Sequence, residues 1–307
     1  MKGLVLRSTG SWYEVLDENK HVWQCRLKGK FKIQGLKTSN PIAVGDRVEF
    51  EIEDKTENMA TIFKIDAREN YIIRKSVHKT AHGHILAANL DQAVIIVTLN
   101  YPRTSLGFID RFLVSAESFR IPTTIVFNKI DLLSEEEKDY LADLAAMYEE
   151  IGYPCVFTSA VGNIGIKAFN DILKDKISLV SGHSGVGKST LVNQIAPTLD
   201  LKPTEISTFA NKGVHTTTFA TMFELEENTF IIDTPGIKEL GLIDIEKQEL
   251  SHFFPEMRAL LGQCKYHNCK HINEPKCAVL EAVAEGTIAE SRYNSYLSMM
   301  SDDDNRR

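Results

Sequence analysis

Two groups of residues in this 307-residue chain have the types and spacing to do chemistry. The first includes Gly182-His183-Ser184-Gly185-Val186-Gly187-Lys188-Ser189, a match to G-x-x-x-x-G-K-[ST]. It follows an apolar, strand-like run at 177–180 and opens a helical run, the context a phosphate loop requires. Glycines let backbone N–H groups turn inward around phosphates, and the helix N-terminus adds its dipole. Lys188 is expected to reach the β- and γ-phosphates as the catalytic cation. Ser189 would ligate Mg²⁺, with Thr190 beside it among the nucleotide contacts. Asn128-Lys129-Ile130-Asp131 follows a strand-like run ending at Phe127. The Asp131 carboxylate can accept from guanine N1–H and the exocyclic amine, a donor pair adenine lacks. Asn128 would brace this loop, and Lys129 would lie along the base. In Thr158-Ser159-Ala160 the backbone N–H of Ala160 could reach guanine O6. Asp233-Thr234-Pro235-Gly236 offers Asp233 to Mg²⁺ through water and the Gly236 N–H to the γ-phosphate.

The second group is Cys264-x4-Cys269-x-His271-x5-Cys277. Three thiolates and one imidazole suit tetrahedral Zn²⁺ with no open position, hence one structural zinc. His267 is the alternative ligand, but it would crowd two ligands onto one turn with Cys264. Three buried cysteines beside an unrelated histidine is the plainer reading.

Between the phosphate loop and Asp233 lies Gly213-Val214-His215-Thr216-Thr217-Thr218. One of these threonines should complete the Mg²⁺ shell, and Thr217 is favoured. A polar loop entering the next strand fits the same residues. After Gly236 comes Ile237, where a water-positioning glutamine is common, so intrinsic hydrolysis is expected to be slow. His215 could orient water instead, or simply be an exposed loop histidine.

Three segments must position these residues. Residues 1–70 alternate like five short strands between turn signals, which predicts a small antiparallel barrel, OB-type first and SH3-like as the alternative. Bases predominate up to residue 40 (Lys2, Arg7, Lys20, Arg26, Lys28, Lys30, Lys32 and Lys37), against the acids Glu14, Asp17 and Glu18. This basic module in a chain of net charge −7 could bind RNA locally, or be a solvated face. Trp12, Tyr13, Trp23 and Phe31 could stack on bases or pack in the barrel core. Residues 71–245 alternate strands and helices, several strands being continuous apolar runs, as in a doubly wound α/β domain covered on both faces. Ser134-Glu135-Glu136-Glu137 reads as a capping box opening a helix through Leu141, Leu144, Ala145 and Tyr148. Residues 246–307 read as mainly helical around the Cys/His cluster, with a helix over 275–285 stopped by Gly286.

Five cysteines, three of them clustered, favour metal over disulfides in a reducing compartment. No apolar run approaches membrane-spanning length, and the N-terminal apolar stretch is too short for a signal peptide. The chain reads as a cytoplasmic monomer without a membrane partner.

The order of the motifs is unusual. An ordinary GTPase carries its phosphate loop first and its base-reading motif last; here Asn128–Asp131 and Ser159-Ala160 precede Gly182–Ser189. The chain therefore resembles a circularly permuted GTPase, whose switch segments adjoin the C-terminal module and could pass nucleotide state to it. Adding Cys25-Arg26-Leu27-Lys28-Gly29-Lys30, Val44-Gly45-Asp46-Arg47-Val48, Gly213-Val214-His215-Thr216-Thr217 and the Cys/His cluster, nearly the full length resembles the RsgA (YjeQ/YloQ) family of small-ribosomal-subunit-dependent GTPases. The resemblance implies an OB domain, a permuted GTPase and a zinc domain. It also implies GTP and GDP as ligands, hydrolysis stimulated by the small subunit during its late maturation, and contacts with 16S rRNA. Val214 departs from the pattern, since many members carry arginine there. Two competing readings are a GTP-gated RNA-binding module with incidental turnover and a permuted GTPase acting on the large subunit.

Overall fold

The computed structural model describes residues 1–28, 40–75, 83–199, 220–233 and 245–301. Near the N-terminus, alternating apolar residues build five strands: β1 (Lys2–Ser8), β2 (Tyr13–Asp17), β3 (Val22–Leu27), β4 (Arg47–Asp54) and β5 (Met59–Ile65). They run in the order β1-β2-β3-β5-β4, and β4 pairs back onto β1. All these pairings are antiparallel except β3 with β5. This closed five-stranded barrel is the OB arrangement. Val5, Val15, Cys25, Val48, Phe50 and Ile62 fill its core, one face of each strand turned inward.

Tyr13 and Trp23 belong to that core, so neither offers its ring to a base. The Trp23 indole N–H donates to Asp17 Oδ2 at 2.9 Å, satisfying the one polar atom that burial would strand. Trp12 is half-buried, with the exposed Arg26 guanidinium 4.0 Å from its ring centroid. Phe31 lies outside the described residues.

Five parallel strands follow, in the order β10-β9-β8-β11-β13. They are β8 (Gln92–Val97), β9 (Thr123–Asn128), β10 (Cys155–Thr158), β11 (Ile177–Ser181) and β13 (Thr229–Asp233), with the antiparallel β12 (Thr221–Glu226) beside β13. Every residue of β8 and β9 is buried. Along β8, Ala93, Ile95 and Val97 join one core layer while Val94 and Ile96 join the other. Helices α1 (Leu106–Ser118) and α2 (Glu135–Ile151) cover the first layer. Helices α3 (Ile166–Leu173) and α4 (Lys188–Ile195) cover the second. The continuous apolar runs thus mean coverage on both faces. The capping box at Ser134 and Glu137 is present in both directions, and Leu141, Leu144, Ala145 and Tyr148 form the buried face of α2.

Two features were not anticipated from sequence. A ribbon of β6 (Tyr71–Lys75) and β7 (Gly83–Ala88) stands between barrel and sheet. It is held to the barrel by a bridge between Ala87 and Val44 and by Ala88 N–H donating to Val44 O at 2.8 Å. The other feature is a junction of β1 with β12, Arg7 facing Thr221, which makes barrel and α/β sheet one eleven-stranded sheet. Lys20, in the β2–β3 turn, reinforces it, pairing with Glu224 and lying 5.7 Å from the Phe230 ring centroid. The β12–β13 hairpin is therefore bonded to the N-terminal barrel, not only followed by a C-terminal module.

The C-terminal helices are α5 (Pro255–Arg258), α6 (Ala278–Ala284) and α7 (Glu290–Ser301). Helix α6 starts three residues later than the expected 275, because Lys276 takes φ +59° and Cys277 is the extended N-cap residue. Gly286, at φ +77°, lies just past the helix end, as expected. Arg292 of α7 is buried and donates to Asp110 of α1 at 2.6 Å and to Glu256 of α5 at 2.8 Å. Tyr148 of α2 also donates to Asp110, at 2.9 Å. A buried charge is tolerated only with such partners, so this cluster ties the C-terminal helices to α1 in one geometry. Among the described residues no helix is long and apolar enough to cross a membrane.

Candidate active site and metal centre

The loops after β8, β9, β10 and β11 lie side by side at the carboxyl ends of adjacent strands, where open α/β sheets bind ligands. After β11, Gly182 adopts φ +146°, and a Cβ there would sit 2.2 Å from Ile96 O. Gly187 adopts φ +96°, and its Cβ would meet Asn128 Nδ2 at 2.5 Å. Only glycine lets the loop turn this tightly against its neighbours. Val186, between them, is fully buried and anchors the loop to the layer under α3 and α4. His183 stacks on Phe108 of α1, centroids 3.9 Å apart, while Ser184 and Gly185 form the exposed crest. Lys188 opens α4, and its buried ammonium donates to Gly182 O and His183 O, both at 2.8 Å. The charge is thereby held at the loop by its own carbonyls. Ser189 is buried behind it and Thr190 is exposed.

Asn128 joins three loops. Its Nδ2 donates to Val186 O at 2.7 Å, and its Oδ1 accepts from Thr158 Oγ1 at 3.0 Å. Lys129 takes the left-handed conformation (φ +62°) and sends its ammonium to Gly185 O at 2.6 Å and Tyr101 O at 2.7 Å. Ile130, half-buried, opens a single 3₁₀ turn that leaves the Asp131 carboxylate exposed. Ser159 and Ile164 exchange backbone hydrogen bonds at 2.9 Å, and Gly162 N–H donates to Ser159 Oγ at 2.8 Å. This tight turn holds Ala160 in place. Asp233 is the last residue of β13, next to Ile232, which pairs with Leu179 of β11. The two strands thus lead Asp233 and the phosphate loop out on the same edge. His215, Thr217, Gly236 and Ile237 lie outside the described residues.

The loop after β8 was missed by sequence reasoning. The only signal was its Tyr-Pro pair, a turn marker. Thr104 N–H donates to Thr98 O at 3.0 Å, Thr98 N–H donates to Thr104 Oγ1 at 3.2 Å, and the Thr98 hydroxyl donates to Pro102 O. So cinched, it abuts the phosphate loop, where a Cβ on Gly185 would lie 3.4 Å from Pro102 Cδ.

The ligand atoms of Cys264, Cys269, His271 and Cys277 all lie within 4.8 Å of one another. His271 Nδ1 is 3.3 Å from Cys277 Sγ and 3.6 Å from Cys264 Sγ. Burial, then hydrogen bonding with the neighbouring thiols, pushes the Cys269 thiol up to about 12. Three thiols and an imidazole gathered this closely form a donor set that fits Zn²⁺. Around it, Tyr293 and Tyr296 of α7 donate their hydroxyls to His271 O at 2.8 Å and Lys270 O at 2.7 Å. Glu274 accepts from the N–H groups of Lys270 and Ile272, both at 2.9 Å. His267 is not among the clustered ligands.

The Asn128–Asp131 loop is thus bonded to the Gly182–Ser189 loop, which comes later in the chain. The family model for the RsgA GTPase matches residues 65–243, and that for the RsgA N-terminal domain matches residues 2–60. The chain belongs to the RsgA family. A protein of Cytophaga hutchinsonii described as the small ribosomal subunit biogenesis GTPase RsgA is 54% identical over 310 residues, covering 100% of both chains. Its counterpart in Bacteroides fragilis is 51% identical over 98% of this chain and 97% of its own. The crystal structure of YjeQ from Thermotoga maritima superposes with a TM-score of 0.78 at 37% identity, covering 100% of this chain and 99% of its own. YloQ, described as a circularly permuted GTPase, superposes with a TM-score of 0.74 at 31% identity, covering 100% of this chain and 96% of its own. The chain is thus a GTPase of the permuted type.

Proposed function

We propose that this GTPase binds the small ribosomal subunit, acts in its late maturation, and is stimulated by it to hydrolyse GTP. The observation that carries the nucleotide half is the direct bonding of the Asn128-Lys129 motif to the phosphate loop at Val186 and Gly185. Base and phosphates would then be held by one rigid unit. Lys188 stabilises charge on the transferring phosphoryl group, and Gly182–Gly187 wrap the phosphates. Ser189, Thr217 and Asp233 complete the Mg²⁺ site, and Gly236 meets the γ-phosphate. Asp131 and Ala160 read guanine, with Asn128, Ile130 and Ser159 shaping that pocket. Cys264, Cys269, His271 and Cys277 hold one structural zinc. The names of the relatives support the small subunit as partner. The basic barrel, with Arg26 exposed over Trp12, suits contact with 16S rRNA in the cytoplasm, and the protein works as a monomer.

Asp131→Asn is expected to lose preference for GTP and gain it for xanthosine triphosphate, whose 2-oxo group replaces the amine. Competition binding with the two nucleotides checks this, and a variant that still prefers GTP would remove the base assignment.

Ile237 in place of a water-positioning glutamine means slow hydrolysis until the partner completes the site. Purified small subunits should raise turnover strongly. That stimulation should fall with added salt, because phosphate contacts release counterions. His215→Ala should lower the stimulated rate far more than GTP affinity. Turnover measured with and without subunits across a salt series tests this. No stimulation at low salt would eliminate the ribosomal reading. Ile237 also favours a second reading, a GTP-gated RNA-binding module, for which stimulated turnover would stay negligible while RNA affinity followed the nucleotide.

A further inference from the structure

Three large apolar side chains stand out in the solvent on three neighbouring loops of the nucleotide site. They are Tyr101 after β8, 68% exposed, Leu132 after β9, 51%, and Val161 after β10, 90%. Leu132 and Val161 flank motifs already assigned to guanine. Tyr101 has no role in any motif.

We propose that Tyr101 is a nucleotide-contact residue whose ring packs on the ribose and the adjoining face of guanine; this rests on the guanine-nucleotide reading above. The position follows from Lys129. Its stem would lie along the base, and its ammonium ends between Gly185 O at 2.6 Å and Tyr101 O at 2.7 Å. Gly185 belongs to the crest that faces phosphate. The ammonium therefore marks the passage from base to phosphates, which in a nucleotide is the ribose, and the Tyr101 backbone borders that point.

The loop is built to present this side chain. Bonds between Thr98 and Thr104 close it, and the Thr98 hydroxyl holds Pro102 O. Tyr101 itself sits at φ +57°, a left-handed conformation uncommon for an aromatic residue and kept only where the surroundings over-determine the backbone. That conformation is fixed through its carbonyl, so the ring stays free for a ligand. A flat aromatic face suits a sugar and purine surface, and ring–base packing tolerates both GTP and GDP.

Nucleotide affinity of the full-length protein, by calorimetry with GDP and a non-hydrolysable GTP analogue, tests this. Tyr101→Ala should weaken both ligands by about tenfold. Tyr101→Phe should stay within about twofold of the parent, since the ring remains. The melting temperature of nucleotide-free Tyr101→Ala should match the parent, because the bond to Lys129 uses the backbone carbonyl. Unchanged affinity in Tyr101→Ala, equal losses in the Phe and Ala variants, or a drop in nucleotide-free melting would each overturn the inference. Asp131→Asn, run in parallel, separates the two levels. If it shifts to xanthosine nucleotides while Tyr101→Ala binds normally, only the tyrosine inference falls. If it keeps its preference for guanine, the nucleotide reading falls and this inference with it.

Discussion

Lys188→Ala is expected to abolish measurable GTP turnover, a loss of about a hundredfold to a thousandfold. The ammonium is buried and held at the phosphate loop by Gly182 O and His183 O, each 2.8 Å away. A cation fixed at this loop is placed to meet a negative phosphate. When charge builds on the transferring phosphoryl group, this fixed cation stabilises it without reorganising water, an effect of about 3–4 kcal/mol per preorganised donor. Alanine removes the cation and leaves the glycine turns intact, so nucleotide should still bind, more weakly. Single-turnover hydrolysis at saturating GTP, with small subunits present, measures the effect. A rate within a few-fold of the parent would remove Lys188 from the chemistry and with it the phosphate-loop assignment.

Loss of the metal centre is expected to be as severe for the C-terminal helices. Cys277→Ser takes away a ligand that is also the N-cap residue of α6 and lies 3.3 Å from His271 Nδ1. Zinc binding contributes about 10–16 kcal/mol of apparent free energy in small modules, far more than a four-residue α5 and a seven-residue α6 gain from packing. Zinc content should fall from one per chain to none. Proteolysis should then cut within residues 250–301 first, because the Tyr293 and Tyr296 hydroxyls lose the ordered carbonyls they bond. The α/β sheet should melt later, in a separate transition. Metal analysis together with limited proteolysis decides the point. Protein purified without chelator and found free of zinc would refute the metal assignment itself.

Both centres were legible in the sequence for the same reason. Gly182–Ser189 and the Cys/His spacing could be read from the chain because their chemistry depends on near neighbours in sequence. Glycine φ values, a helix N-terminus and the reach of ligands a few residues apart are local properties. The same holds for the Ser134 capping box and for the two-sided burial of β8 and β9, which their unbroken apolar runs announce. Helix α6 shows the limit even at short range. Start and stop signals in the sequence placed it over 275–285, but the turn that brings Cys277 to His271 delays its start to Ala278.

Motif order was likewise a property of the sequence alone, and it already implied a permuted GTPase. What the order could not say is which module touches the β12–β13 hairpin. Adjacency along the chain pointed to the C-terminal helices, whereas β12 meets β1, more than 200 residues away, with Arg7 facing Thr221. Arg292 finding Asp110 and Glu256, Asn128 bracing Val186, and Lys129 drawing Tyr101 to Gly185 are of the same kind. Each joins groups far apart in sequence whose types are common, so no spacing betrays the pair. Their partners are chosen when the sheet order and helix layers bring the loops together. Residue type determined which chemistry this protein carries; only the packing decided which side chains support it.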